Sequence, residues 1–154
     1  IDLDVLESML TEQHAIVALA HVSNVLGSIL GAKRAAKLAH NVGAKLLLDG
    51  CQAAPRMRLS IAELDCDFYV MSAHKLYGPT GIGALWARYD ILDAMPPWHG
   101  GGAMIDRVSF ERTTYAPPPG RETSIKPSRS GTRIPPNDYL SLHRSRRKGR
   151  DGFP

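Results

Sequence analysis

Short apolar runs and helix-forming stretches alternate along the first hundred residues of the chain. Apolar runs rich in small and branched residues are typical of buried strands, and such runs stand at residues 15–20, 45–48, 67–71 and 83–87. Alanine-rich or capped stretches predict helices at residues 32–41, 60–64 and 89–94, with Ser60 as an N-cap. Residues 21–31 contain Ser, Asn and Gly and predict a loop. This alternation predicts an α/β sheet covered by helices.

Length and composition restrict the class of protein. The chain has 154 residues, of which 44% are hydrophobic and 22% are charged, as expected for about one soluble globular domain. No apolar run approaches the roughly 18 residues of a membrane-spanning helix, so we expect no membrane partner. The two cysteines, Cys51 and Cys66, lack a CxxC spacing, which argues against a disulfide framework and a metal site. We therefore expect a reducing, cytoplasmic compartment.

The positive charge is concentrated at the carboxyl end. Residues 1–120 contain ten Lys or Arg and twelve Asp or Glu, whereas residues 121–154 contain nine and three. Residues 121–154 also have few large apolar side chains, too few to offset the entropy lost on folding. We therefore divide the chain into a body, residues 1–120, and a tail, residues 121–154, and expect the tail to be disordered.

The basic tail permits a function of a different class. Clusters of this kind neutralise phosphates, so a non-catalytic module that binds nucleic acid is an alternative. Runs of charge are more often simply solvated, and this interpretation leaves the chemistry described below without a purpose. The cluster comprises Arg144, Arg146, Arg147, Lys148 and Arg150.

Two predicted strands end on side chains that suit a cofactor. Asp49 ends the second apolar run and Ser72 ends the third, and ligands of α/β sheets bind beyond the carboxyl ends of the strands. Lys75 would be partly desolvated there, which favours the neutral amine that attacks a carbonyl carbon. A buried Asp49 carboxylate needs a cationic partner, and a protonated pyridine nitrogen is one. A lysine and an aspartate at opposite ends of one ring form the arrangement that binds pyridoxal phosphate.

Neighbouring polar side chains fit the same cofactor. Ser72 and His74 flank Lys75 and can donate hydrogen bonds to phosphate oxygens, and Gln52 can donate to the phenolic oxygen of the ring. Each residue alone is a weak signal, because a lysine after a strand is usually a surface residue. Their joint order and spacing predict a pyridoxal phosphate site.

The same region resembles a known enzyme family over about residues 1–118. The segments AHVSNVLGSIL, LLLDGCQAAPRM, LDCDFYVMSAHKLYGPTGIGALW and MPPWHGGGAMI closely resemble the Suf-type (group II) cysteine desulfurases. These are pyridoxal-phosphate enzymes of aminotransferase class V. The resemblance implies part of the fold-type I large domain, an α/β unit with a mainly parallel sheet covered by helices.

The resemblance implies a role for each site residue. Lys75 corresponds to the Schiff-base lysine, Asp49 to the partner of the pyridine nitrogen, and Gln52 to the residue beside the phenolic oxygen. The other implied contacts are those of Ser72 and His74 with the phosphate and of Asn24 with the substrate carboxylate.

The resemblance also implies a reaction and its partners. Sulfur is removed from L-cysteine, which gives L-alanine and an enzyme-bound persulfide for iron–sulfur cluster assembly. The family's enzymes are homodimers that pass sulfur to an acceptor protein. A selenocysteine lyase or another class V aminotransferase is the alternative within the same family.

Several family features fall outside these 154 residues. The resemblance places the family's persulfide-forming cysteine and carboxylate-binding arginine beyond residue 154, and its ring-stacking histidine before Ile1. Cys51 and Cys66 are instead expected to be small buried apolar residues. We therefore expect a fragment with little desulfurase activity of its own.

The amino-acid sequence after Arg121 differs from that of the family. The family continues with Phe-Glu-Ala-Gly-Thr, whereas this chain has ETSIKPSRSGTRIPP. The abrupt shift in charge and apolar content motivates the hypothesis of a frameshift near Arg121. Translation of the coding DNA in the other two frames tests it, because the tail is genuine if neither frame restores the family text.

Overall fold

The computed structural model describes residues 1–97, residues 104–118 and the backbone of residues 143–144. Helices and strands alternate through most of the described part. The helices are α1 (Leu3–Met9), α2 (Ala32–Asn41), α3 (Ile61–Leu64) and α4 (Tyr89–Ala94), with a 3-10 turn at Ala73–Lys75. The strands are β1 (Ile16–Ala20), β2 (Lys45–Asp49), β3 (Phe68–Ser72), β4 (Ile82–Ala87), β5 (Ile105–Val108), β6 (Thr113–Tyr115) and β7 (His143–Arg144).

The main sheet has the strand order β1-β2-β3-β4-β7. Strands β1, β2 and β3 are parallel, whereas β4 runs antiparallel to β3 and β7 runs antiparallel to β4. Strands β5 and β6 form a separate antiparallel pair. The expected α/β architecture is confirmed, and the parallel strands bring their carboxyl ends to one edge of the sheet.

Helix α2 covers one face of the sheet. Its residues Ala35, Ala36 and Ala39 are fully buried together with Leu46 and Leu48 of β2. Alanine side chains let the helix lie close to the strands, and burial of each leucine contributes about 1.5–3 kcal/mol. The opposite face of β1 is open, because the alternate side chain Ile16 is 54% exposed.

The predicted elements agree closely with the structure. Each predicted strand is present with its ends shifted by at most one residue, and α2 and α4 have the predicted bounds. Ser60 occupies the N-cap position of α3 as predicted, but its side chain makes no capping hydrogen bond. The first turn of α3 is closed instead by the Glu63 amide, which donates to the Ser60 carbonyl at 3.0 Å.

Helix α1 and the β5–β6 pair were not predicted. Asp2 caps α1 by accepting hydrogen bonds from the amides of Asp4 and Val5 at 2.9 and 3.2 Å. Leu3 and Leu6, one helical turn apart, pack against the core. The capping residue Asp2 and the spacing of Leu3 and Leu6 are visible in the sequence, so a search for helical periodicity would have identified α1.

The carboxyl-terminal predictions fall mostly outside the described residues. The expected disorder of residues 121–154 and the basic cluster lie there, apart from the backbone of residues 143–144, which pairs with Ile82 and Gly83 of β4. In the part of the chain that the structure describes, no helix has both the length and the apolar composition that crossing a bilayer requires.

Candidate functional site

The candidate site lies where β2 and β3 end. Asp49 is the last residue of β2 and Ser72 is the last residue of β3. Asp49 pairs in register with Val70, and residues two apart on a strand face the same side. Asp49 and Ser72 therefore lie on one face of the sheet, at the edge where both chains leave it.

The backbone around Asp49 is fixed by local hydrogen bonds. The His21 amide donates to the Asp49 carbonyl at 2.9 Å, which joins the end of β1 to the end of β2. The Asp49 Oδ1 atom accepts a hydrogen bond from the Cys51 amide at 2.8 Å, an Asx turn that orients the carboxylate.

Asp49 differs from the prediction in its burial. The sequence predicted a buried carboxylate, whereas Asp49, the last residue of β2, is exposed. No Lys, Arg or His of the described residues forms a salt bridge with it. The carboxylate is therefore available to a cation supplied from outside the described residues.

A buried tyrosine and histidine support the turn after Asp49. The Tyr69 hydroxyl lies 3.0 Å from Nδ1 of His21, and both side chains are buried. Burial lowers the pKa of His21 and raises the pKa of Tyr69, so both groups are neutral near pH 7. The phenol and the imidazole therefore share a hydrogen bond between two neutral groups.

The Tyr69 ring packs so closely against Gly50 that only glycine fits at this position. A Cβ atom at this position would lie 2.0 Å from Cε1 of Tyr69, well inside van der Waals contact. The absence of a side chain at Gly50 allows the aromatic ring to lie directly against the backbone that follows Asp49.

The 3-10 turn that follows β3 presents Lys75. The amides of Leu76 and Gly78 both donate to the Ala73 carbonyl at 2.8 Å, which closes the turn around the lysine. Lys75 is half-buried, in line with the predicted partial desolvation. Among the described residues its ammonium group has no hydrogen-bond or ion-pair partner.

Ser72 and His74 lie together beside this lysine. The Ser72 hydroxyl is 2.7 Å from Nδ1 of His74, and His74 is exposed while Ser72 is half-buried. Both residues are adjacent to Lys75 in the chain, so a hydroxyl, an imidazole and an amine share one short segment. These groups donate hydrogen bonds of the kind that a phosphate accepts.

The thiol of Cys51 is influenced by both Asp49 and Lys75. Burial raises the pKa of its thiol to about 11, with a hydrogen bond to Asp49 and the negative charge of Asp49 acting in the same direction. The positive charge of Lys75 and the backbone amide of Ser72 act in the opposite direction. The charges of Asp49 and Lys75 therefore act on this thiol in opposite directions.

The two cysteines differ in their surroundings. The prediction of a buried apolar residue is confirmed for Cys66, which is 1% exposed. It is wrong for Cys51, which is only half-buried, because it lies on the turn beside Asp49 rather than under the sheet.

The two remaining candidate residues lie on either side of Asp49 in the chain. Gln52 forms two hydrogen bonds with Arg56, at 2.6 and 2.9 Å. Asn24 lies exposed in the turn after β1, where the Ser23 hydroxyl accepts from the amides of Val25 and Leu26. No hydrogen bond joins the Asn24 side chain to another described residue, so its expected role stays a prediction.

Four residues of the site were not identified from the sequence. His21 and Tyr69 lie 48 positions apart, and only the strand register brings them together. Cys51 was identified only as a packing residue, and Arg56 was not singled out. An arginine four residues after Gln52 in a turn-rich segment was the one local signal available.

Comparison with known proteins identifies the family. Residues 1–124 match the family described as aminotransferase class-V. A cysteine desulfurase of Cronobacter sakazakii is 48% identical over 132 residues, which are 85% of this chain and 32% of that protein. A cysteine desulfurase of Dickeya dadantii is 47% identical over 132 residues, again 85% and 32%. The chain spans about a third of the length of these relatives.

Solved structures show the same fold. The crystal structure of a cysteine desulfurase from Escherichia coli matches with a TM-score of 0.72 and 42% identity, over 78% of this chain and 30% of that one. The apo structure of a cysteine desulfurase from Thermococcus onnurineus matches with a TM-score of 0.70 and 35% identity, over 79% and 30%. The expected α/β fold of the fold-type I enzymes is thereby confirmed. The chain belongs to the aminotransferase class-V family.

Proposed function

We propose that this chain is the cofactor-binding part of a pyridoxal-phosphate-dependent cysteine desulfurase of the Suf type. The observation that carries the proposal is that Asp49 and Ser72 end the neighbouring parallel strands β2 and β3 on one face of the sheet, with Lys75 in the turn directly after Ser72. The family and the similarity to cysteine desulfurases from several bacteria support the same function.

The donor set fits pyridoxal phosphate. Asp49 is a carboxylate without a cationic partner among the described residues, and the cofactor's pyridine nitrogen becomes such a partner once it is protonated. Lys75 supplies an amine for the aldehyde carbon at the other end of the ring. Ser72 and His74 supply hydrogen-bond donors for the phosphate. Gln52 supplies an amide N–H donor for the phenolic oxygen. When bound, the cofactor accepts electrons from the bond that is broken at the substrate's α carbon.

The roles of the chain's own residues follow from their chemistry. Asp49 keeps a proton on the ring nitrogen, and a charge-assisted hydrogen bond of this kind contributes about 1.5–3 kcal/mol. The Lys75 nitrogen takes up and returns a proton next to the substrate. We assign Asn24 to the substrate carboxylate, because its loop follows directly on the His21 amide that binds the Asp49 carbonyl.

The proposed substrate is L-cysteine and the proposed product is L-alanine. Sulfur passes through an enzyme persulfide to an acceptor protein for iron–sulfur cluster assembly, and the complete enzyme is a homodimer in the cytoplasm. The similarity to cysteine desulfurases supports this assignment over the other reactions of the class V family.

The test is the visible absorption band that pyridoxal phosphate acquires on covalent attachment to a lysine. We expect the wild-type chain to give the band and Lys75→Ala to lose it. The control Lys37→Ala, on the exposed face of α2, retains it. Asp49→Asn weakens cofactor binding roughly tenfold to a hundredfold, as the loss of a charge-assisted bond requires. A wild-type chain without the band, or an equal band in Lys75→Ala, would contradict the proposal.

A further inference from the structure

Arg56 holds one end of the Gln52 side chain. Its Nη1 atom lies 2.6 Å from Oε1 of Gln52 and 2.9 Å from the Gln52 backbone carbonyl. A guanidinium group has donors and no acceptor, so the amide atom it contacts is the oxygen. Both contacts are charge-assisted and share one nitrogen, which fixes the amide relative to its own backbone.

The turn after β2 brings these two residues together. The Ala54 amide donates to the Gly50 carbonyl at 2.8 Å, and the Met57 amide donates to the Ala53 carbonyl at 2.9 Å. These bonds span four residues, as in a helix, and side chains four residues apart then lie on the same side. The spacing of Gln52 and Arg56 therefore follows from the local backbone.

Arg56 and Gln52 each have N–H donors that no other described residue uses. Within residues 1–97 and 104–118, no carboxylate forms a salt bridge with Arg56. Its guanidinium group instead donates hydrogen bonds to Gln52. The Nε2 group of Gln52 has no acceptor among the same residues. The hydrogen bond from Arg56 thus occupies the amide oxygen of Gln52, and the amide N–H groups stay free to donate to another acceptor.

We propose that Arg56 is a positioning residue that presents the amide N–H of Gln52 to the phenolic oxygen of the cofactor. This inference rests on the proposed function, which assigns Gln52 to that oxygen. Without Arg56 the amide can rotate by half a turn, which would set its oxygen against the electron-rich phenolic oxygen. Arg56 thereby selects the donor over the acceptor end of Gln52.

The first test needs no cofactor. The heteronuclear NOE of the Gln52 side-chain nitrogen, identified by its disappearance in Gln52→Leu, reports whether the amide is fixed. We expect a value close to that of the Gln52 backbone in the wild type and a clear fall in Arg56→Met. The matched control Arg58→Met removes an equal charge from an exposed neighbour and leaves the value unchanged. An unchanged value in Arg56→Met would overturn the inference.

The second test follows the visible band as the pH changes. A donor to the phenolic oxygen weakens its hold on the proton it shares with the lysine nitrogen, so loss of the donor raises the pH midpoint of the band. We expect Gln52→Leu and Arg56→Met each to raise the midpoint by about 0.5–1 pH unit, the equivalent of one neutral hydrogen bond. Arg58→Met leaves it unchanged.

A double variant separates positioning from a direct effect of charge. If Arg56 acts through the amide, Arg56→Met shifts the midpoint no further when Gln52→Leu is already present. Additive shifts, or an unshifted midpoint in Arg56→Met with a normal Lys75-dependent band, would overturn the inference alone. Persistence of the band in Lys75→Ala would instead overturn the proposed function.

Discussion

The chemistry of single residues in the site depends on their neighbours, and Cys51 illustrates this. Its thiol is half-buried beside Asp49, and the pKa of about 11 keeps it protonated at neutral pH. A protonated thiol is a poor nucleophile. Cys51 is therefore poorly suited to carrying sulfur.

Alkylation by iodoacetamide tests this view of Cys51. At pH 8 a pKa of about 11 in place of 9.0 makes the reaction roughly 100-fold slower than for an ordinary thiol. We expect the rate, followed by peptide mass spectrometry, to rise about tenfold per pH unit from pH 8 to pH 10. Asp49→Asn removes a group that raises the pKa, so it accelerates the reaction. A rate that levels off near pH 9 would exclude the perturbed thiol.

At the residue scale, the sequence predicted which polar side chains follow the ends of the strands. Asp49, Ser72 and Lys75 were identified because they follow apolar runs, and these runs are strands in the structure. The exposure of Asp49, the contact between His21 and Tyr69 and the position of Cys51 were not predictable. They depend on which face of the sheet is covered and on the strand register, which a linear pattern does not contain.

At the scale of elements, a buried carboxylate joins the amino ends of the strands. Asp67, at 2% exposure, accepts a hydrogen bond from the Leu46 amide at 2.7 Å and contacts Nε2 of His40 at 2.7 Å. Lys45 and Arg88 approach it at 3.8 and 3.5 Å. One side chain thus connects α2, β2, β3 and the end of β4, at the edge of the sheet opposite Asp49 and Ser72.

Replacement of Asp67 tests this connection. Asp67→Ala leaves the buried Leu46 amide without an acceptor and removes the carboxylate that His40, Lys45 and Arg88 contact, so we expect it to lower the free energy of unfolding by about 3–5 kcal/mol. Urea denaturation followed by circular dichroism measures the change. Glu12→Ala, at an exposed carboxylate, serves as control and changes stability by less than about 0.5 kcal/mol. Equal stability of the two variants would show that the connection is unimportant.

The elements themselves were largely predictable from the sequence. Apolar runs of strand length and the alanine-rich stretch of α2 gave bounds within one residue, because local periodicity and burial agree there. The antiparallel direction of β4 was not predicted, since strand direction depends on the connection rather than on composition. The β5–β6 pair was missed because its strands are mostly exposed and lack a core-facing pattern.

At the scale of the whole molecule, buried titratable groups set the pH range of stability. Burial raises the pKa of Cys66 to about 12, and it also raises the pKa of Tyr69. Both groups stay protonated in the folded state at a pH where the unfolded chain loses the proton. Their contribution is complete below the ordinary thiol value of 9.0 and is lost as the pH rises toward 12.

Buried His21 sets the acidic limit in the opposite sense. Burial lowers its pKa below 6.5 in the folded state, so the unfolded chain binds the proton first as the pH falls. Its contribution is complete above about pH 6.5 and decreases below it. Together these groups predict maximal stability between about pH 6.5 and pH 9.

Urea unfolding at pH 5, pH 7.5 and pH 10 tests this range. We expect the free energy of unfolding to be highest at pH 7.5 and lower at both other values. Cys66→Ala reduces the overall stability because of the cavity it leaves, but it also flattens the decline between pH 9 and pH 10.5. A stability that increases steadily from pH 7.5 to pH 10 would contradict the account.

Chemical trapping tests the central claim most directly, namely that Lys75 is the residue that binds the cofactor covalently. The chain is incubated with pyridoxal phosphate, reduced with borohydride to make the attachment permanent, and digested for mass spectrometry. We predict the pyridoxyl group on the peptide that contains Lys75, with its yield reduced in Asp49→Asn. Attachment mainly to Lys33, Lys37 or Lys45, or no attachment at all, would contradict the assignment.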